Sequence, residues 1–239
     1  MTPTETGQGA GIPDNSARRA AVAAFVHALR QRLDRPASAA APPEHPEAIA
    51  RQVEPGEDLV ERFTRAASAV GIEVHSTTPA AWFGRIVDLL QALEARAVVV
   101  PAAGDGFFTA DRVEQLVREL GSRGVTPTHQ TDDETLFSVD AAITGVVTAI
   151  AEHGTLVGES GAAVARGASL IPPVHIAVVD TSQLLADLHD YFAGLARRPD
   201  LPANINLISG PSKTADIEGV LVTGVHGPGS VHVVLVAEQ

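Results

Sequence analysis

The only lysine of the 239-residue chain, Lys213, stands in a segment dense in hydroxyls and acids, Asn206-Leu-Ile-Ser-Gly-Pro-Ser-Lys-Thr-Ala-Asp-Ile-Glu218. An apolar strand-like run ends at Ser209-Gly210, Gly210-Pro211 imposes a turn, and a helix-like pattern starts near Thr214. In that layout Ser209, Gly210, Ser212, Lys213 and Thr214, with Asp216 in the first helical turn, offer hydroxyls, N–H groups and one cation. A carboxylate or phosphate is the expected ligand, because a helix start favours negative charge. The competing reading is structural: the hydroxyls cap the helix and the acids complement its dipole. The spacing is not that of a Walker loop, so nucleotide hydrolysis is not expected.

Three further clusters carry chemistry-bearing residues. His226, in Val225-His-Gly-Pro, can hold an anion or donate a proton from a constrained loop, or can simply fix that loop through hydrogen bonds. Glu152 and Glu159 lie beside glycine-rich turns as candidate acids, bases or nucleophiles, with Arg166 and His175 as candidate ligand contacts. Ordinary turn chemistry is their alternative, and the closing glycine of a GxSxG elbow is missing after Ser160. Gly104-Asp-Gly106 follows a buried strand, but Thr109 replaces the third glycine of a dinucleotide loop and Asp105 would repel a pyrophosphate. That segment reads as a turn.

Composition narrows the function classes. A formal charge of -12 disfavours a nucleic-acid groove and an anionic membrane surface. No apolar run is long enough to span a bilayer, and residues 1–15 read as neither signal nor anchor, so the expected location is cytoplasmic. With no cysteine, the chain offers no thiolate for an iron–sulfur cluster. Nine histidines form no HExxH and no i, i+4 pair. No metal or cofactor is therefore expected from local spacing; a metal would need ligands gathered from distant segments.

These residues need elements to hold them. Residues 16–35 read as an amphipathic helix with Val22, Phe25, Val26, Leu29 and Leu33 on one stripe, after a disordered stretch over 1–15. It can pack on the main body, on a twin subunit or on a partner, so a homo-oligomer is one of the alternatives. Residues 36–57 are a Pro/Ala-rich linker, and 58–239 form an α/β domain. Within it, helices are expected over 59–70, from Thr78, from Thr109, and over 145–152, 182–196 and 215–222. Strands are expected over 72–75, 97–100, near Val125, and over 140–144, 155–157, 175–179, 205–208 and 231–236. The 156–173 stretch breaks this rhythm as a potential antiparallel hairpin. Alternation of this kind makes a mostly parallel sheet covered on both faces.

Four segments together carry a family resemblance: Glu152-His-Gly-Thr-Leu-Val157, Arg166-Gly-Ala-Ser-Leu-Ile-Pro-Pro-Val-His-Ile176, Ile208-Ser-Gly-Pro-Ser-Lys-Thr-Ala-Asp-Ile-Glu218 and Gly224-Val-His-Gly-Pro228. In order and spacing they resemble the LUD-domain family, within it lactate utilization protein C, over roughly residue 59 to the C-terminus. The resemblance implies a Rossmann-like fold of the NagB/RpiA/CoA-transferase-like class. It also implies an accessory role in oxidising L-lactate to pyruvate beside other lactate-utilization proteins, one of them an iron–sulfur subunit. Two other functions remain as alternatives: a stand-alone transferase or isomerase using Glu152 or Glu159, and a ligand-sensing module.

Overall fold

The computed structural model describes residues 24, 25, 27, 28, 51–160, 165–217 and 220–237. The chain divides into two units, Met1–Pro46 and Glu47–Gln239. In the first, residues 24, 25, 27 and 28 are helical, within the helix expected over 16–35. The rest of that helix, residues 1–15 and the linker before Arg51 lie outside the described residues.

The second unit begins with helix α1 (Leu59–Val70), capped by the Asp58 carboxylate on the N–H groups of Val60 and Glu61. It ends at Gly71, whose φ of 94° is the left-handed conformation that lets its N–H reach back to Ala67 and Ser68. The turn delivers the chain into β1 (Ile72–Thr77). Helix α2 (Trp82–Ala92), strand β2 (Ala97–Val99), helix α3 (Ala110–Ser122) and strand β3 (Thr126–Thr128) continue the alternation. Helix α4 (Asp133–Ser138) and β4 (Ala141–Gly145) follow, and β7 (Val174–Asp180) and β12 (Ser230–Val236) complete one six-stranded sheet. Its order is β1-β12-β7-β4-β2-β3, and every pairing in it is parallel. The protein is thus α/β with a mostly parallel central sheet, as its alternation predicts.

Side-chain period two divides this sheet into two cores. Ile143, Ile176, Val178, Val234 and Val236 pack with Trp82, Ile86, Leu90, Leu116 and Leu120 of α2 and α3. The opposite face, with Ala177, Val179, Val231, Val233 and Leu235, packs on Phe63 and Ala67 of α1 and on a second sheet. That sheet has four strands in the order β8-β5-β6-β9: β5 (Thr148–Ile150), β6 (Thr155–Ser160), β8 (Leu184–Leu185) and β9 (Asn204–Ile208). Helix α5 (Leu188–Leu195) covers it through Tyr191 against Ile150 and Val157. Arg51 ties the start of this unit to α5, donating to Asp187 and Asp190 at 2.9 Å each.

Several elements differ from the sequence expectation. Residues 145–152 are not a helix; Thr148, Ala149 and Ile150, preceded by β-branched Val146 and Val147, pair instead as β5 with β6. The hairpin therefore sits one element earlier than the 156–173 stretch, and β6 pairs antiparallel with β5 and β9. The helix over 182–196 shrinks to α5, preceded by a 3-10 turn over Thr181–Gln183 and by β8. Residues 78–81 make a turn, with the Thr78 carbonyl accepting from Ala81 and Trp82, so α2 starts at Trp82 and leaves Leu93 exposed. Most consequential, 215–222 is no helix: β10 (Lys213–Ile217) and β11 (Val220–Thr223) pair antiparallel.

Two glycines show how closely the layers approach. At Gly154, with φ of 64°, a Cβ would lie 2.2 Å from the Ala67 backbone N of α1. Gly154→Ala is expected to destabilise the fold by about 2 kcal/mol or more, through both φ strain and overpacking. Urea unfolding of the two proteins measures it, and an unchanged midpoint would contradict this packing.

Candidate functional site

A recess opens where β4 ends and the chain crosses into the second sheet. Its walls are Asp105 from the loop after β2, Thr144 to Val146, Gly158 to Ser160 of β6, Arg166 and Ser169 of a 3-10 turn, His175 of β7, and Asn206 of β9. Its space is about 360 Å³ when open solvent is counted, of which the cavity itself makes up about 20 Å³. A neighbouring recess at the carboxyl ends of β2 and β4 is lined by Pro101, His129 and Thr131 and shares Asp105, Thr144 and Ala165. Crevices at the carboxyl ends of parallel strands are where open α/β sheets bind ligands.

Backbone contact fixes this place. A Cβ at Gly145 would meet the Asp105 carbonyl oxygen at 2.0 Å, and one at Gly106 would meet that of Val146 at 2.2 Å. Only glycines allow the two segments to cross so closely. The crossing lets the Gly145 N–H donate to Asp105 Oδ2 at 3.0 Å. Asp105 is 8% exposed; burial raises its pKa above the ordinary carboxylate value, and the Gly145 bond only partly opposes that. Burial thus favours the neutral, proton-donating form of this acid relative to an exposed carboxylate.

His175 is the second distinctive group. It is 1% exposed and shares a 2.8 Å hydrogen bond between its Nε2 and Thr144 Oγ1. Its Nδ1 is buried without a protein partner. Burial first, and the neighbouring His232 second, lower its pKa to about 4, so the ring is neutral at pH 7. Neutral imidazole, hydroxyl, carboxyl and Asn206 amide supply donors and acceptors, and exposed Arg166 adds a permanent positive charge.

Three sequence candidates meet here: Glu159, Arg166 and His175. The Glu159 carboxylate already accepts from Arg198 Nη1 at 2.6 and 2.7 Å and from the Tyr191 hydroxyl at 3.0 Å, tying β6 to α5. Burial, with Glu159 second, raises the Tyr191 pKa to about 12. Glu152 lies at the opposite end of the β5–β6 hairpin, 3.2 Å from His153 Nδ1.

The Ser209–Thr214 segment lies outside the recess lining, and β10 replaces the helix on which its anion-site argument rested. Ser209 Oγ shares a 2.8 Å hydrogen bond with Thr155 Oγ1. Ser212 donates its N–H to the Pro228 carbonyl at 2.9 Å and accepts the Gly224 and His226 N–H groups at 2.9 and 3.3 Å. His226 itself is exposed. Lys213 Nζ donates to the Val70 carbonyl at 3.1 Å, a cation on the C-terminal end of α1. Gly210, with φ of 108°, packs against that same carbonyl. Asp216 lies in β10.

Asp105, Thr144 and Asn206 escape the sequence reading as site residues. The available signal was an acid between two glycines directly after a buried strand, a pattern that also describes any tight turn.

With this geometry in place, comparison with known proteins gives the family. Residues 60–236 match the family model of the LUD domain, and the chain belongs to that family. The resemblance carried by the four sequence segments is borne out. An uncharacterized protein of Neisseria meningitidis serogroup B is 29% identical over 174 residues, 72% of this chain and 74% of that one. Lactate utilization protein C of Bacillus subtilis is 27% identical over 194 residues, 77% of this chain and 80% of its own. Its namesake from Halalkalibacterium halodurans is 37% identical over 126 residues, only 51% of each chain. Among solved structures, a DUF162 family protein from Deinococcus radiodurans aligns with a TM-score of 0.51 at 25% identity, over 74% of this chain and 96% of that one.

The low His175 pKa fixes a pH dependence. Between pH 6.5 and about 4 the unfolded chain binds this proton and the folded chain does not. The contribution to stability is therefore full above pH 6.5 and is lost as pH falls toward 4, by up to about 3 kcal/mol. His175→Gln is expected to flatten this part of a stability-versus-pH curve measured by urea unfolding. An unaltered slope would contradict a neutral buried ring.

Proposed function

We propose that this LUD-domain protein serves the oxidation of L-lactate to pyruvate as an accessory component, binding a small carboxylate ligand in the Asp105–His175 recess. Its relatives named lactate utilization protein C support the pathway. The observation that carries the ligand class is one buried acid with a raised pKa, set beside a neutral imidazole and below an arginine at the mouth. Arg166 matches a carboxylate, while Asp105, Thr144 and His175 match the hydroxyl or keto oxygen of a 2-hydroxy or 2-oxo acid.

In this reading the redox centres belong to an iron–sulfur partner among the other lactate-utilization proteins, since this chain has no cysteine to ligate a cluster. The setting is the cytoplasm; no described helix is long and apolar enough to cross a membrane. A stand-alone transferase or isomerase has less support, because Glu159 is engaged by Arg198 and Tyr191 and Glu152 stands away from the recess.

Calorimetry with L-lactate and pyruvate tests the ligand. Saturable binding is expected for at least one of them, weakened at least about tenfold by Arg166→Ala or Asp105→Asn, as for loss of a charged or buried hydrogen bond. Deletion of the gene is expected to abolish growth on lactate, and the protein should co-purify with the iron–sulfur partner. Normal growth on lactate in the deletion strain would contradict the pathway; absence of binding would contradict the ligand.

A further inference from the structure

A second cluster of polar side chains occupies the other face of the six-stranded sheet. Glu73 and His75 stand two residues apart on β1, so their side chains project from the same face. His232 on β12 is the direct register partner of Glu73 and joins them on that face. His175 is paired with the adjacent Val231, so it projects to the opposite side. The β1–β12 cluster is therefore separate from the recess, on the face that α2 covers.

His75 Nε2 lies 3.3 Å from His232 Nδ1, and Glu73 Oε2 lies 3.7 Å from that same Nδ1. Neighbouring ligands of a tetrahedral zinc site, with metal–ligand bonds of about 2.0–2.1 Å, stand about 3.3–3.5 Å apart. The two distances to His232 Nδ1, 3.3 and 3.7 Å, thus stand at or near that spacing, and all three ligand atoms come within 4.8 Å of one another. We propose that Glu73, His75 and His232 form a site for a divalent transition-metal ion of the zinc type, bound through Glu73 Oε2, His75 Nε2 and His232 Nδ1.

The surroundings fit an ion that enters from solvent. β1 is an edge strand, His232 is buried, His75 is half-buried, and the Glu73 side chain is 66% exposed. One side of the cluster is closed by the sheet and the other is open, which leaves a fourth coordination position for water. Without a metal, the two imidazoles share one hydrogen bond, with stacked rings 5.5 Å apart. That arrangement uses only one proton and one lone pair and leaves Glu73 beyond hydrogen-bond reach. The ion takes the place of the shared proton: His75 carries its proton on Nδ1 and His232 on Nε2, so both ligating nitrogens present lone pairs. The Arg85 guanidinium acts electrostatically on His75. The Arg85 charge opposes a cation here, and the Glu73 carboxylate offsets it.

The test uses the full-length protein stripped with chelator and titrated with zinc by calorimetry, with cobalt(II) absorption as a coordination probe. One ion per chain is expected, with a four-coordinate cobalt spectrum. Glu73→Gln and His75→Gln are each expected to weaken zinc binding at least about tenfold, a loss at or above that seen for outer-shell partners. Zinc should raise the Tm of the unaltered protein but not that of Glu73→Gln, whose exposed side chain makes it the safer variant for folding. Absence of saturable binding would overturn the proposal. So would equal affinity in Glu73→Gln and the unaltered protein, which assigns the zinc to other histidines.

Discussion

The close crossing of two backbone segments, the loop around Asp105 and the strand end at Gly145–Val146, is the constraint on which the rest of the second unit depends. Glycine at 106 and 145 removes the only atoms that would keep the segments apart. The Asp105 carboxylate then accepts the Gly145 N–H, a buried polar group that would otherwise lack a partner. Gln183 closes the same corner by donating its Nε2 to the Val146 carbonyl at 2.6 Å. The chain leaves the parallel sheet here and enters the mixed four-stranded one. The recess beside Asp105 is the space left beneath that departure.

The same corner links architecture to electrostatics. Parallel strands buried on both faces present almost continuous apolar runs, as in Ile176–Val179 and Val233–Val236. Polar groups set into such a sheet lose water and shift toward their neutral forms. His175 and His232 both show this, on opposite faces. Asp105 shows it for an acid. Among the described residues few polar side chains are buried; Asp105, Thr144 and His175 come together near the end of β4, and His232 lies on β12.

Much of the parallel sheet was legible in the sequence, because its strands are apolar runs and its helices carry clear caps. Asp58, Gly71 and Thr109 mark helix ends by chemistry that acts within a few residues. The second sheet was legible only in part: β6 and β9 coincide with the strands expected over 155–157 and 205–208, whereas β5 and β8 were not expected. In 145–152 and 215–222, alanines and acids set among apolar residues imitate a helical stripe, while the pairing that decides the outcome comes from β6 in one case and from within the hairpin in the other. Losing the helix after Thr214 removed the dipole argument for an anion at Lys213, which instead reaches the end of α1. Of the residues lining the recess, Glu159, Arg166 and His175 stood out by type in the sequence, but only tertiary structure joins them to Asp105 and Thr144. Likewise Glu73, His75 and His232 meet through strand register across 157 residues, a separation no local motif spans.

The account rests on the recess beside Asp105 being the place where a small carboxylate binds. A crystal structure of the protein grown with L-lactate or pyruvate tests that most directly. The account predicts ligand density bounded by Asp105, Thr144, His175 and Arg166, with the carboxylate toward the arginine. Density at the Ser209–Thr214 turn, with the recess holding only water, would contradict it.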